Sequence, residues 1–376
     1  MDAIDKQARA HQAPIRPGPA LTAPGAAACY VHGWAGIVPS GDSAGAMLER
    51  CLARGGLPGP AGDRRVADEV LSRASGLSPR DIKRLDRFAL CAVAAARTAL
   101  TPMALDEDGR RELGVIVGTM TAGWTFTEPQ LRALYRSGLD EISPYLASAW
   151  FPAAAQGQIT IHLGLGGHAK TLATDRCAGA QAIGYARQRM RSGQERYLLA
   201  GAAESPVTPF VLAAYESKFA SVAAPLTEGS AFLVLGAEPP AQDEPAVEID
   251  GCWSRPLFSE APLRRQVGEL LARAGDAAQD GAAAWLVNTL PSDFIERDIA
   301  QAIREQAQAT DAQIFFPNRC LGDCLAASGP LLAGLALEHL RTGGAARVLV
   351  LSVGHQCLDL ISFVSTHRSQ HGRQTH

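Results

Sequence analysis

The stretch CAGAQAIGYARQRMRSG (177–193) returns 150 residues later, without a gap, inside AASGPLLAGLALEHLRTG (326–343). Gly179 falls on Gly329, Gly184 on Gly334, Ala186 on Ala336, Arg191 on Arg341 and Gly193 on Gly343. Both copies read as helices that stop at a glycine able to take the left-handed C-terminal conformation. Each then runs into an apolar strand. The shared helix–glycine–strand order points to a duplicated α/β unit whose halves pack across a pseudo-dyad. Small residues on one face would let the two buried helices approach closely. The halves join near PPAQDEPA (239–246), which gives an N-terminal half over 29–240 and a C-terminal half over 241–367.

Working outward, short apolar runs read as buried strands: LGVIVGT (113–119), AKTLAT (169–174), RYLLAG (196–201), SAFLVLG (230–236), AWLVNT (284–289) and RVLVLSVG (347–354). A helix is expected over 80–100, with Ser78 as its cap, Pro79 in its first turn, and Ile82, Leu85, Phe88, Ala92, Val93 and Ala96 on one apolar face. Helices fit between the strands, so the fold class is α/β with covered sheets. Residues 1–28, rich in Ala, Pro and Gly without periodicity, read as a flexible leader, and 368–376 as a polar tail.

Composition excludes several classes of function. The chain is 47% apolar, enough for a large core, and its net charge of −3 is spread out. No basic run suggests nucleic acid. No apolar stretch approaches the ~18 residues of a membrane span. The N-terminus has acids and no apolar h-region, unlike a secretory signal. The eight cysteines are dispersed, with Cys320 and Cys324 the one close pair and no zinc-like spacing around them. No metal or cofactor is expected, and a reducing cytoplasm is the expected location.

Four ordered motifs resemble the β-ketoacyl synthase family. IKRLDRFALCAVAAARTAL (82–100) is similar to a helix built around MDRF…A…A…AL, and LGVIVGTMTAGW (113–124) to a strand and loop of the form GVIVGSG.GG. AAQGQITIHLGLGGHAKTLATDRCAGAQAIGYA (154–186) resembles AAGQIS…GLKGPN.TV.TAC..G..AIG.A, and RSGQERYLLAGAAES (191–205) resembles RRGEAD.MLAGGAE. Weaker matches follow in order: SDFIER (292–297) to GD.IEA, LGDCLAASG (321–329) to GH..GA.G, and SVGHQC (352–357) to SFGFGG. The resemblance implies a duplicated thiolase-like fold, a five-layer α/β/α/β/α sandwich. It also implies a subunit pair formed through strands beside the nucleophile.

The resemblance makes Cys177 the nucleophile. A thiol at a helix N-terminus meets the positive end of the macrodipole, which favours the thiolate, and backbone N–H groups there suit an oxyanion. The departures are equally informative. The family's first histidine, in HGTGT, has no counterpart in WLVNTLPSDFIER (285–297); Asp323 stands at the second, and Asn318 at its lysine. Its PFD..RDGFV.GEGAG segment shrinks to APLTEGSAF (224–232). Ordinary decarboxylative condensation by this chain alone is therefore not expected. His355 falls where the family has the Phe of GFGG, so a Cys177–His355–Asp323 constellation for acyl transfer or thioester hydrolysis is one expectation; His355 filling the space of Phe is the other. Trp150 and Phe151 match the stretch that lines the family's acyl tunnel near the subunit interface, and Asn318 is placed with them as tunnel-lining.

Two functions follow. One is a ketosynthase-like partner subunit of type II polyketide or fatty-acid-type biosynthesis, similar to a chain-length factor, that pairs as a homo- or heterodimer with a ketosynthase. The other is a stand-alone acyltransferase or thioester hydrolase. Either would meet an acyl carrier protein or an acyl-CoA thioester.

Overall fold

The computed structural model describes residues 28–366 apart from 42, 54–63, 104, 219–223, 241–244, 259–260, 281–282 and 309–311. The leader, the middle of the proposed join and the polar tail lie outside the described residues. Ten strands form one sheet: β1 (Tyr30–Ile37), β2 (Gly114–Thr119), β3 (Ala169–Ala173), β4 (Tyr197–Glu204), β5 (Gly229–Gly236), β6 (Ala246–Pro256), β7 (Ala284–Asn288), β8 (Gln313–Phe315), β9 (Arg347–Val353) and β10 (Cys357–Thr366). Their order is β3-β2-β4-β5-β1-β6-β10-β9-β7-β8. Read from each end, the second five strands repeat the first five in order. In each set the outer three are parallel, and the next two join antiparallel. This is the duplication expected from the helix repeat.

The two sets meet at β1 and β6 through a single register pair, Tyr30 with Glu248, and a bond from Ile249 N–H to the Cys29 carbonyl. The sheet folds over at this join and encloses two helices, α3 (Ala178–Arg191) and α6 (Ser328–Arg341), which touch strands of both sets. Outside the first set lie α1 (Arg87–Leu100) and α2 (Ala154–Leu163); outside the second lie α4 (Leu263–Ala274) and α5 (Asp293–Ala307). Helix, sheet, helix pair, sheet, helix make five layers. The period-2 pleat sends alternate strand residues to different cores. In β2, Ile116 faces the central core while Val115 and Val117 face the outer core shared with α1 and α2. In β9, Val348 and Val350 face the central core while Leu349 and Leu351 face α4 and α5. Strands buried on both sides are why these runs read as continuously apolar.

One expected element breaks. Ser78 caps a short helix at Pro79–Ile82, as read, but the continuous helix over 80–100 is interrupted and restarts at Arg87. Asp86 leaves helical geometry, and its carboxylate accepts the N–H groups of Phe88 and Phe126. A local cap and a distant backbone donor together outweigh continuity of the apolar face.

Gly193 and Gly343 end the paired central helices at φ 68° and 73°, the left-handed C-terminal geometry glycine adopts without strain. Gly179 serves close approach instead: a Cβ there would collide with the Ala326 carbonyl and the Pro330 ring at the start of α6. At Gly184, five residues on, the nearest atom to an added Cβ is Cys252 Cβ at 3.9 Å. Gly179→Ala should therefore lower stability by about 2 kcal/mol or more, since backbone cannot yield as a side chain does. Gly184→Ala should be neutral or stabilising by up to about 1 kcal/mol through helix propensity. Urea midpoints of the two variants check this; equal behaviour would contradict the helix contact.

Candidate functional site

β3 ends where the chain turns through Asp175 and Arg176 into α3, and Cys177 is the N-cap of that helix. Cys177 is fully buried. Its thiol hydrogen bonds to the carbonyls of Ser352 (3.5 Å) and Cys357 (3.4 Å), at the end of β9 and the start of β10. Burial pushes this thiol well above the ordinary cysteine range, and the nearby Cys357, Asp359 and Asp175 push the same way. The macrodipole was expected to favour the thiolate, but it acts through one helix end and is outweighed by desolvation.

Asp175 locks the β9–β10 turn onto this corner. One carboxylate oxygen accepts the N–H of Cys177 (2.9 Å) and the thiol of Cys357 (3.3 Å); the other accepts the N–H groups of His355 (2.7 Å) and Gln356 (2.9 Å). Burial works against its charge, yet these bonds hold its pKa below the usual carboxylate range. Gly354 permits the contact, since a Cβ there would run into the Asp175 carboxylate. Asp359 on β10 accepts from Gln181 Nε2 (3.2 Å), and burial pushes it up to about 6. Among the described residues, Asp175, Cys177 and Cys357 bring potential metal-ligand atoms within 4.8 Å of one another. The carboxylate of that set is already engaged by three backbone N–H groups.

Asp323 sits in the opposite half and is fully buried. Its carboxylate pairs with both terminal nitrogens of Arg176, one at 2.7 Å, and also accepts the Tyr215 hydroxyl (2.6 Å) and the Leu325 N–H (3.0 Å). Burial opposes the Arg176 charge, but Asp323 more than compensates and raises its pKa. Asn318 is buried too, donating to Asn288 Oδ1 (3.2 Å) and the Thr289 carbonyl (3.1 Å), while Asn288 donates to Ser352 Oγ (3.3 Å). Neutral amides thus lead back to the strand end that holds the Cys177 thiol.

His355 is exposed at the tip of the β9–β10 turn. Partial burial and the Arg176 charge lower its pKa, with Asp175 and Asp323 acting against them. It lines a cleft of about 390 Å³ with Arg176, Thr289, Leu290, Val353 and Phe258. Trp150 and Phe151 are each 52% exposed and meet edge to face, rings 6.0 Å apart. The structure therefore brings Cys177 and Asp323 into one buried region, Asp323 through Arg176, and puts His355 at its rim.

Sequence reading missed Asp175, Arg176, Cys357 and Asp359. One signal was available: TDRC places a charged pair before the cysteine where the resembling pattern has small residues, and a buried arginine requires an acid.

A family model described as "Beta-ketoacyl synthase, N-terminal domain" matches residues 57–228. The chain is 31% identical over 295 residues to a putative polyketide beta-ketoacyl synthase 2 of Streptomyces halstedii, covering 68% of this chain and 69% of that protein. It is 32% identical over 154 residues to the tetracenomycin polyketide synthase ketoacyl synthase beta subunit of Streptomyces glaucescens; that match spans 40% of this chain and 38% of the relative. Among solved structures, a type II PKS acyl-carrier protein in complex with its ketosynthase contains a similar chain, with TM-score 0.75, 23% identity and coverage of 91% and 100%. The ishigamide ketosynthase/chain length factor gives 0.69, 20%, 90% and 100%. At these identities the likeness is one of fold.

At neutral pH, Cys177 should be alkylated more slowly than the half-buried Cys357, and its rate should rise about tenfold per pH unit, since a thiol far below its pKa gains thiolate in that proportion. Asp175→Ala, which releases the turn, should speed Cys177 labelling severalfold. Peptide-resolved mass spectrometry after brief iodoacetamide treatment reads both; preferential labelling of Cys177 in the unsubstituted chain would contradict the assignment.

Proposed function

The chain belongs to the β-ketoacyl synthase family, and from that premise we propose that it is a ketosynthase-like partner subunit for carrier-bound acyl chains, not competent for decarboxylative condensation alone. One observation supports this reading: Asp323, which the sequence resemblance aligns with the family's second histidine, is a buried carboxylate paired with Arg176 and bonded by Tyr215. A malonyl unit losing carbon dioxide leaves an enolate, which a neutral N–H donor stabilises and a buried carboxylate repels. Asn318, at the family's lysine position, donates to the neighbouring chain and carries no charge.

The naming of the Streptomyces glaucescens relative as a beta subunit, and of the ishigamide structure as a ketosynthase/chain length factor, supports a role similar to that of a chain-length factor. The acyl carrier protein of the other solved complex supports carrier-bound thioesters as the ligand class. The cleft beside Arg176 and His355 has the size and apolar walls for such an arm. A stand-alone acyltransferase or hydrolase built on Cys177, His355 and Asp323 has less support, because the thiol bonds to two carbonyls and the carboxylate serves Arg176.

The edge strand β3 supports pairing with a second thiolase-fold subunit. It ends the sheet with Ala169, Lys170 and Ala173 exposed, and Ile161, Trp150 and Phe151 lie exposed on the preceding segment. An unpaired edge with apolar surface beside it invites another chain. Among the described residues no helix is long and apolar enough to cross a membrane.

The isolated chain should release labelled carbon dioxide from malonyl carrier protein at least about a hundredfold more slowly than an intact synthase, the scale expected when acid–base groups are missing. Release at a comparable rate would overturn the reading. It should also sediment as a dimer, or co-purify with a co-expressed ketosynthase, through residues 150–175. A lone monomer at micromolar concentration under both conditions would refute the pairing.

A further inference from the structure

Two thiols far from Cys177 in sequence meet across the halves of the molecule. Cys51 Sγ and Cys320 Sγ lie 3.1 Å apart, joined by a thiol–thiol hydrogen bond between residues 269 positions apart. Cys51 is in the last turn of the helix Ala44–Leu52 in the first half, and Cys320 is in the short helix Asn318–Leu321 in the second. The two helices pack together. Cys51 is 5% exposed and Cys320 2%. A disulfide holds its sulfurs about 2.0 Å apart, so this pair closes with a movement of about 1 Å.

The hydrogen bonds give the two sulfurs different roles. The Cys320 S–H is directed at the Pro317 carbonyl (3.1 Å), which leaves the Cys51 S–H as the donor between the sulfurs. That bond favours a thiolate at Cys320 and lowers its pKa; the Arg50 charge helps, and burial opposes. Burial instead pushes the thiols of Cys29, Cys91, Cys177, Cys252 and Cys324 up. Oxidants attack the thiolate, so Cys320 is more readily oxidised than those five. Its neighbour at contact distance is the sulfur that can resolve the oxidised product.

We propose that Cys51 and Cys320 form a redox-modification site, which hydrogen peroxide closes to a disulfide that clamps the two halves together. The oxidant must be small to reach a buried pair. The Cys320 thiolate attacks one peroxide oxygen, the O–O bond breaks, and hydroxide leaves to become water with the proton that Cys320 lost. The Cys51 sulfur then attacks the resulting sulfenic sulfur, and the S–O bond breaks as the departing hydroxide takes the Cys51 proton. Two thiols and one peroxide thus give one disulfide and two waters, with two electrons passing from sulfur to oxygen. The bond would restrict the unfolded chain over most of its length. It would also anchor the segment between Asn318 and Asp323, in which Cys320 lies.

The test exposes the full chain to a few equivalents of hydrogen peroxide, blocks remaining thiols with iodoacetamide, and maps unreduced peptides by mass spectrometry. A peptide linking Cys51 to Cys320 should appear at least about tenfold faster than oxidation of Cys29, Cys91, Cys177, Cys252 or Cys324, in line with their raised pKa values. Cys51→Ala should abolish the link and leave Cys320 as a sulfenic acid, read as its dimedone adduct; if that variant fails to fold, the linked peptide of the unsubstituted chain decides alone. The linked protein should melt about 5 °C higher than the reduced one, the scale of closing a long loop in a chain of this size. Oxidation of other cysteines with Cys51 and Cys320 left as thiols would overturn the site. A link that forms only in urea would overturn it too, because the folded contact would then play no part. A linked protein that melts where the reduced one does would overturn the clamp.

Discussion

The buried pair between Arg176 and Asp323 is the constraint on which the arrangement around Cys177 depends. Arg176 comes from the turn between β3 and α3 in the first half of the sheet, and Asp323 from the approach to α6 in the second. Asp323 adds backbone bonds to Pro225 and Thr227 of the first half, so one residue docks the two repeats by both side chain and main chain. Taking two charges out of water is expensive, and their attraction offsets the loss only when the remaining donors and acceptors are used. Here Tyr215 and the Leu325 N–H complete the carboxylate. Losing either partner alone would strand a buried charge, at a cost of about 3–5 kcal/mol. The pair therefore stands or falls as a unit.

Much of the fold was legible because its signals are local. The glycine-ended helices announce themselves in Gly193 and Gly343, and the strands buried on both faces read as apolar runs with boundaries shifted by only a residue or a few. The break at Asp86 was not legible, because Ile82, Leu85 and Phe88 continue one apolar face across it while half of the carboxylate's work is done for Phe126, far along the chain. The strands β1, β6, β8 and β10 also went unread. In β1, YVHGWAGI alternates buried and half-buried positions, yet nearly all its letters are apolar or small, so the pleat leaves no polar rhythm. The site divides in the same way. Cys177 and Asp323 could be named from aligned motifs, but Arg176 acquires meaning only when the fold brings it to an acid 147 positions away.

The state of Cys177 follows from a contest of magnitudes. A helix N-terminus favours an anion by about 0.3–1 kcal/mol, less than one pKa unit, which is worth about 1.4 kcal/mol. Full burial can shift a group by about three to five units in the opposite direction, and three acidic neighbours add to it. The thiol is thus at rest while the β9–β10 turn is closed, and Asp175 is what closes it. Because the Asp175 bonds run to the backbone of His355 and Gln356 and to the N–H of Cys177, the same carboxylate fixes the sulfur and the turn that covers it. The helix N-terminus therefore does not set the state of Cys177; burial beneath the β9–β10 turn does.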